Sequence, residues 1–267
     1  MNKTITCGPF VGSFFEEIKN FRPFVQWVSK NIVYDDIFVF SHYNRKFLYE
    51  ENMIHIYEQY SLDYKTTFHK NDDISLELYN MIFKALRKNV IDISDMKLKN
   101  VVSLFNKYPK NRIRTSTWNK SYNKIDVPQM YMDLPDDFIV FIPCKTDSKK
   151  KINRVLKHLQ DNNNVIIIGD DDIYHSDHNY LNKSFDMIER RYEYCLNIIS
   201  KAKMVVCPLS DWTFLCNLQG VPVMSWGHYI NQYKKGGVYH FDNTNHIISN
   251  TYSDNIISAI DYFQRRL

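Results

Sequence analysis

The sequence predicts an α/β fold in two halves, because the same alternation of strand and helix patterns occurs before and after a break in the chain. Short apolar runs typical of buried strands alternate with longer segments in which apolar residues recur every three or four positions. Residues 109–135 interrupt this alternation with three prolines and many Asn, Ser, Thr and Lys residues. We therefore expect two Rossmann-like domains, residues 1–125 and 126–267, facing a common cleft.

The first half begins with a strand, a turn at residues 8–13 and a long helix. One face of that helix is apolar, and Pro23 inside it is expected to kink or divide it. The strands predicted in this half are residues 4–7, 37–40 and 53–57. The helices predicted here are residues 14–30, 74–88 and 101–108.

The second half restarts the alternation after the break. Its predicted strands are residues 138–142, 165–168, 204–207 and 221–225, followed by a short segment at 238–241. Its predicted helices are residues 149–160, 185–202, a segment from about 212 to 219, and one from about 254 to the end. No repeat of fixed period and no low-complexity tract is present.

Residues 203–227 hold the most informative pattern. An apolar run predicts a strand buried on both faces, which Pro208 ends. Ser210 and Asp211 can both cap the following helix, and Gly220 is suited to stop it. Because a helix N-terminus offers free N–H groups and the positive end of the dipole, we expect an anion, most naturally a diphosphate, to bind there.

The composition limits the classes of function. A net charge of +4 suits an anionic ligand, but it is too small to imply nucleic acid. Five cysteines without paired spacing indicate reduced, buried thiols. With no signal-peptide core and no run of 18 apolar residues, we expect a soluble cytoplasmic protein without a membrane span.

Glycine is scarce, at 7 residues where average usage would give roughly 19. The Lys, Asn, Ile and Tyr that replace it are typical of AT-rich genomes, such as those of phages and large viruses. The glycines that remain are therefore expected to be held by backbone geometry.

Five polar loops follow predicted strands, at residues 8–13, 41–45, 144–148, 169–172 and 208–213. In parallel α/β sheets ligands bind beyond the carboxyl ends of the strands, so these loops are expected to line the site.

The segment 197–227 carries a family resemblance. A helix ending in Ala-Lys leads into a strand, a polar loop, a helix, a Gly-Val-Pro-Val junction and a final glycine. The matching residues are Ala202, Lys203, Ser210, Asp211, Thr213, Gly220, Val221, Pro222, Val223 and Gly227. This pattern resembles the donor-binding half of GT-B glycosyltransferases, the heptosyltransferases in particular. Residues 8–13 are similar to the glycine loop of their acceptor-side domain.

The resemblance implies a transfer of sugar from a nucleotide-diphosphate sugar to an acceptor hydroxyl, with inversion. The residues expected to bind the substrates are Gly8, Phe10, Gly12, Ser13, Lys145, Gly169, Asp170, Pro208, Leu209, Ser210, Asp211, Trp212, Thr213 and Trp226.

Several of these residues also have a purely structural interpretation. Ser210 and Thr213 can simply cap the helix, Lys145 can be solvated, and Trp212 can pack in the core instead of stacking on the donor. Aspartates in sequence, such as those at 170–172, more often cap a turn than hold a metal. We expect no metal and no cofactor, since the helix dipole and basic groups can stabilise the leaving diphosphate.

Inverting transfer needs a base that takes the acceptor proton. The candidates are Glu17 and Glu16, which follow the glycine loop, with His42 in reserve. Acidic residues in a first helical turn are also favoured by the dipole alone, so capping is the alternative.

The acceptor and the functional class stay open. The sequence allows two acceptors, a modified base of phage DNA or a surface glycan. The basic aromatic stretch 107–124 can follow the phosphate backbone of DNA, although a solvated linker explains this stretch better. Two other classes fit the same halves: a non-catalytic nucleotide- or sugar-binding module, and a sugar-nucleotide epimerase. Release of sugar from the donor would favour the transferase. Conversion of one nucleotide sugar to another without an acceptor would favour the epimerase.

Overall fold

The structure is a computed structural model. It describes residues 4–7, 14–31, 33, 35–41, 43–56, 101–102, 122–143, 147–168, 191–228, 230–233 and 245–267. The chain divides into two compact units, Met1–Asn123 (unit 1) and Lys124–Leu267 (unit 2). Each unit contains one sheet whose described strands all run parallel, which confirms the α/β prediction.

The sheet of unit 1 has the strand order β3-β2-β1-β4. Its strands are β1 Thr4–Cys7, β2 Asp36–Phe40, β3 Ile54–Ile56 and β4 Val101–Val102. The helix predicted at 101–108 is wrong at its start, because two β-branched valines pair with β1 as a short strand. The helix predicted at 74–88 lies outside the described residues.

The first helix of unit 1 is divided, as Pro23 predicted. It consists of α1 (Phe14–Glu16), a π turn (Glu17–Phe21) and α2 (Arg22–Asn31). Proline has no N–H to donate to the carbonyl four residues earlier, that of Lys19. The Tyr122 hydroxyl donates to that carbonyl instead, at 3.3 Å. The apolar face of this divided helix packs on β1 and β2 through Phe21, Phe24, Val25 and Val28.

The sheet of unit 2 has the order β6-β5-β7-β8-β9. Its strands are β5 Phe138–Phe141, β6 Asn164–Ile167, β7 Met204–Pro208, β8 Val223–Trp226 and β9 Asn245–Ile248. Its helices are α3 Lys149–Gln160, α4 Arg191–Lys201, α5 Asp211–Gln219 and α6 Ser253–Gln264. The sequence did not predict β9, and the segment predicted at 238–241 lies outside the described residues.

Both faces of this sheet are covered, as continuous apolar strands require. One core cluster contains residues of α3 and α6, for example Leu156 and Ile260. The other contains residues of α4 and α5, for example Ile198 and Cys216. The four described cysteines, Cys7, Cys195, Cys207 and Cys216, are free and buried, which confirms the prediction for them.

The strand order of unit 2 creates a switch point between β5 and β7. From β5 the chain crosses to β6 on one side of the sheet, and it later returns to β7 on the other side. In open α/β sheets the crevice at the carboxyl end of such a switch point is where ligands bind. Here the segments that follow β5 and β7 lead into the N-termini of α3 and α5.

Candidate functional site

The turn between β7 and α5 is held by backbone groups at the switch point. Ser210 is the N-cap of α5, and its N–H donates to the Thr213 hydroxyl at 3.1 Å. The Leu209 N–H donates to the Trp226 carbonyl at 2.8 Å. The Tyr233 hydroxyl donates to the Ser210 carbonyl at 3.0 Å, so a residue beyond β8 also fixes the cap.

Beneath this turn lies a buried network of uncharged groups, which we call the hydroxyl–thiol network: Cys207, Thr213 and Ser225. The Thr213 hydroxyl lies 3.1 Å from the Ser225 hydroxyl and 3.5 Å from the Cys207 sulfur. The Ser225 hydroxyl lies 3.4 Å from that sulfur. All three side chains are fully buried. The Thr213 hydroxyl therefore supports the turn from inside, whereas Ser210 is partly exposed.

Gly227 allows the ends of β7 and β8 to approach each other. A Cβ atom at this position would lie 2.9 Å from the Leu209 Cβ, closer than real side chains come. The Gly227 N–H also donates to the Ile248 carbonyl at 3.1 Å, which joins β8 to β9 at the same edge. The final glycine of the quoted motif is thus required by close packing.

Lys149, Lys150 and Lys151 form the first turn of α3, at the other side of the switch point. The helix dipole disfavours cations at a helix N-terminus, so we expect a negatively charged group close to these lysines. The Asp147 carboxylate is such an anion for Lys151, because the Lys151 Nζ lies 2.6 Å from the Asp147 Oδ1. Lys149 and Lys150 are exposed.

Asp147 also ties the segment after β5 to the end of β8. The Trp226 indole Nε1 donates to the Asp147 Oδ2 at 3.3 Å. Trp226 itself is buried in the core cluster that contains α3 and α6. Trp212 is partly buried and packs against the opposite cluster, and Asp211 is exposed at the start of α5.

At the carboxyl edge of the sheet in unit 1, Glu17 is fully buried in the π turn. Its Oε1 accepts a hydrogen bond from the Tyr49 hydroxyl at 2.5 Å, and its Oε2 lies 3.2 Å from the Arg45 Nε. Burial raises the pKa of the Glu17 carboxyl, while Arg45, Tyr49 and Ser41 act in the opposite direction. Burial and the neighbouring carboxylate raise the pKa of Tyr49.

Several predicted site residues lie outside the described residues. They are Gly8, Phe10, Gly12, Ser13, His42, Lys145, Gly169 and Asp170. For Glu16 the structure describes the helical backbone but not the side chain. The described residues Pro208, Leu209, Ser210, Asp211, Trp212, Thr213 and Trp226 all lie at the ends of β7 and β8 or in the first turn of α5.

The structure adds residues that the sequence analysis missed. The three lysines of α3 carried a readable signal, since a basic first turn opposes the helix dipole. Arg45 stood in a loop predicted to line the site, but no role was assigned to it. Tyr49, Ser225 and Tyr233 had no local signal, because their partners are distant in sequence.

In the described residues, no three His, Cys, Asp or Glu side chains are grouped so that they could hold a metal ion. Among the helices described, none has both the length and the apolar character needed to cross a bilayer.

The solved structures that are similar to this chain include three glycosyltransferases. The glycosyl transferase family 9 structure from Veillonella parvula has a TM-score of 0.59 at 10% identity, covering 99% of this chain and 98% of that one. E. coli heptosyltransferase WaaC with ADP has a TM-score of 0.51 at 10% identity, covering 97% and 99%. The dodecameric iron-containing heptosyltransferase TibC, in complex with ADP-D-β-D-heptose, has a TM-score of 0.53 at 8% identity, covering 99% and 77%.

No protein-family model and no curated protein sequence matches the chain. At these identities the structural likeness shows the fold, and the neighbours are glycosyltransferases of the GT-B type. The α/β fold with GT-B neighbours is therefore confirmed.

Proposed function

We propose that this protein is a glycosyltransferase that moves a sugar from a nucleotide-diphosphate sugar to an acceptor hydroxyl. The observation that carries the proposal is the switch point of unit 2. There the capped N-terminus of α5 and the lysine-rich first turn of α3 follow neighbouring strands. Two helix N-termini and surface cations together suit the two charges of a diphosphate.

The donor diphosphate is proposed to bind at the N-terminus of α5, where the helix dipole is positive, and to the hydroxyl of Ser210. Lys149 and Lys150, together with the predicted Lys145, balance its charge. As the bond between the anomeric carbon and the diphosphate breaks, negative charge grows on the leaving group, and fixed dipoles and cations stabilise it most at that moment. This arrangement provides for departure of the diphosphate without a metal ion.

The acceptor is proposed to bind at the carboxyl edge of unit 1, in the region of residues 8–13 and 41–45. A base from this region, among Glu16, Glu17 and His42, takes the proton of the acceptor hydroxyl, whose oxygen attacks the anomeric carbon with inversion. We propose a saccharide hydroxyl rather than a DNA base as the acceptor, because a net charge of +4 is too small to imply binding to nucleic acid. Four buried free thiols suit the reducing cytoplasm, where we propose that the protein acts.

Calorimetric titration with ADP, UDP and GDP tests the donor site. We expect one of these diphosphates to bind, and its affinity to fall about tenfold when Lys149→Ala and Lys150→Ala are combined, because two cations leave the phosphate. Ser210→Ala should weaken binding in the same direction. The control is Lys157→Ala, which removes one positive charge from the last turn of α3, as Lys149→Ala alone removes one from the first turn, and it should leave affinity unchanged.

Two results would contradict the proposal. One is a wild type that binds none of the diphosphates and releases no sugar from ADP-glucose, UDP-glucose or GDP-mannose. The other is equal loss of affinity in the Lys157 control, which would indicate general electrostatic attraction rather than a site.

A further inference from the structure

The contacts described for the Glu17 carboxylate come from the segment that follows β2. Ser41 is the residue directly after that strand, and Arg45 and Tyr49 lie in and after the 3-10 turn Tyr43–Leu48. The Tyr49 hydroxyl and the Arg45 Nε meet opposite oxygens of the carboxylate, at 2.5 and 3.2 Å. With no exposed surface, the Glu17 side chain is enclosed by its partners.

Arg45 extends this arrangement to the residue that follows loop 8–13. Its guanidinium carbon lies 4.7 Å from the ring centre of Phe14, the first residue of α1. A second buried arginine adds another tie, since the Arg22 Nε donates to the Leu48 carbonyl at 2.8 Å. The helix after β1 and the segment after β2 are thus joined by several contacts of buried arginines and of Glu17.

We propose that Glu17 is a positioning residue of the acceptor side, which acts through Arg45 and Tyr49, and that it is not the general base. A base must come within hydrogen-bond distance of the proton that it removes. The Glu17 oxygens meet Tyr49 and Arg45 instead, inside the protein. The role that remains is to hold α1, the π turn and the segment after β2 in a fixed arrangement for the acceptor. The inference rests on the proposed glycosyl transfer, and it leaves Glu16 or His42 as the base.

The energetics of the pair agree with this role. Burial raises the pKa of the Glu17 carboxyl, and the charge of Arg45 opposes that rise without cancelling it. Buried charge pairs in general add little to the stability of a fold, because desolvation offsets their attraction. The value of this pair lies in the geometry that it imposes on the segments it joins.

The test uses Glu17→Gln, which keeps the shape of the side chain, and Tyr49→Phe, which removes one hydroxyl. The probe reaction is hydrolysis of ADP-glucose, UDP-glucose or GDP-mannose, whichever the wild type cleaves. Water is then the acceptor: its oxygen bonds to the anomeric carbon, its proton passes to the base, and the nucleoside diphosphate leaves. Glu50→Gln, an exposed carboxylate beside Tyr49, is the matched control.

We expect kcat to fall about tenfold in Glu17→Gln, because the acceptor is then less well positioned. In Tyr49→Phe, kcat should also fall, but by less. KM for the donor should not change, because the proposed donor site lies in unit 2. The acid limb of the kcat–pH profile should stay where it is in the wild type, because the base is still present.

Two outcomes overturn the inference alone. In the first, Glu17→Gln loses about 10²–10⁴-fold in kcat together with the acid limb, while Tyr49→Phe stays near wild type, which makes Glu17 the base. In the second, kcat is unchanged and only the unfolding temperature falls, which makes the network merely structural. A wild type that neither binds nucleotide diphosphates nor cleaves the donors overturns the proposed function itself, and this inference with it.

Discussion

The two parallel sheets end in different kinds of buried network. In unit 2 the hydroxyl–thiol network of Cys207, Thr213 and Ser225 is uncharged, and the lysines stand outside it. In unit 1 the buried groups are a carboxylate and a guanidinium, Glu17 and Arg45. The first kind orients a turn, whereas the second fixes charges inside the protein.

The difference fits the two substrates that we propose. A diphosphate brings its own charge, so its site needs N–H groups held in a fixed direction and cations near the surface. An acceptor hydroxyl brings no charge, so the protein must supply charged groups and hold them still. The comparison therefore predicts that substitutions between uncharged residues have large effects on stability and binding in unit 2. Changes of pH should act mainly on the stability of unit 1.

The largest effect is expected from Gly227→Val. The new side chain meets the Leu209 Cβ and separates the ends of β7 and β8, so the free energy of unfolding should fall by about 3 kcal/mol. Urea unfolding measures it. Gly220→Ala is the matched control, because its φ of 74° causes strain but no atom lies within 4 Å of a Cβ there. Its cost should be only about 1 kcal/mol, and equal costs at the two positions would contradict the packing argument.

An intermediate effect is expected from Thr213→Val, which keeps the shape of the side chain and removes its hydroxyl. The Ser210 N–H then loses its partner and the Ser225 hydroxyl keeps only the Cys207 sulfur, so unfolding should become easier by about 2 kcal/mol. Affinity for the bound nucleotide diphosphate should fall as well, since the turn is less well held. If affinity fell with no loss of stability, Thr213 would be a direct ligand contact and the comparison would need revision.

The smallest effect is a dependence on pH that Glu17→Gln removes. Because the pKa of Glu17 is higher in the folded than in the unfolded protein, its contribution to stability is complete at low pH. That contribution is lost as the pH rises from about 4.3 through the folded pKa. Relative to Glu17→Gln, the wild type should therefore become less stable as the pH rises, as measured by urea unfolding at several pH values. The opposite slope would mean that Arg45 outweighs burial.

Much of unit 2 was predictable because its signals are local. An apolar run identifies β7, and the pair Ser210 and Asp211 identifies the cap of the helix that follows. Gly220 identifies the end of α5, and its φ in the structure is 74°. The strands β4 and β9 were missed, since two valines and the sequence Asn-His-Ile-Ile are too short or too mixed to indicate a strand without their neighbours.

The candidate site was predictable in its position but not in its contacts. The sequence placed Ser210 and Thr213 in one turn, but it could not tell that the Thr213 hydroxyl is buried and meets Ser225 across the sheet. Likewise, Glu17 and Tyr49 are 32 residues apart, and no spacing pattern connects them. Such contacts depend on how separate elements pack, which local propensity does not encode.

The π turn at Glu17–Phe21 has a consequence for how the chain can tolerate insertions and deletions. A π turn holds one residue more than an α turn of the same rise, so it offsets the two ends of the helix by about 100°. Glu17 at one end then faces Arg45, while Phe24 and Val28 at the other pack on the sheet. Deleting one residue from this turn would leave both halves helical but rotate one of these faces away from its partner. Homologues that keep both faces should therefore keep the extra residue.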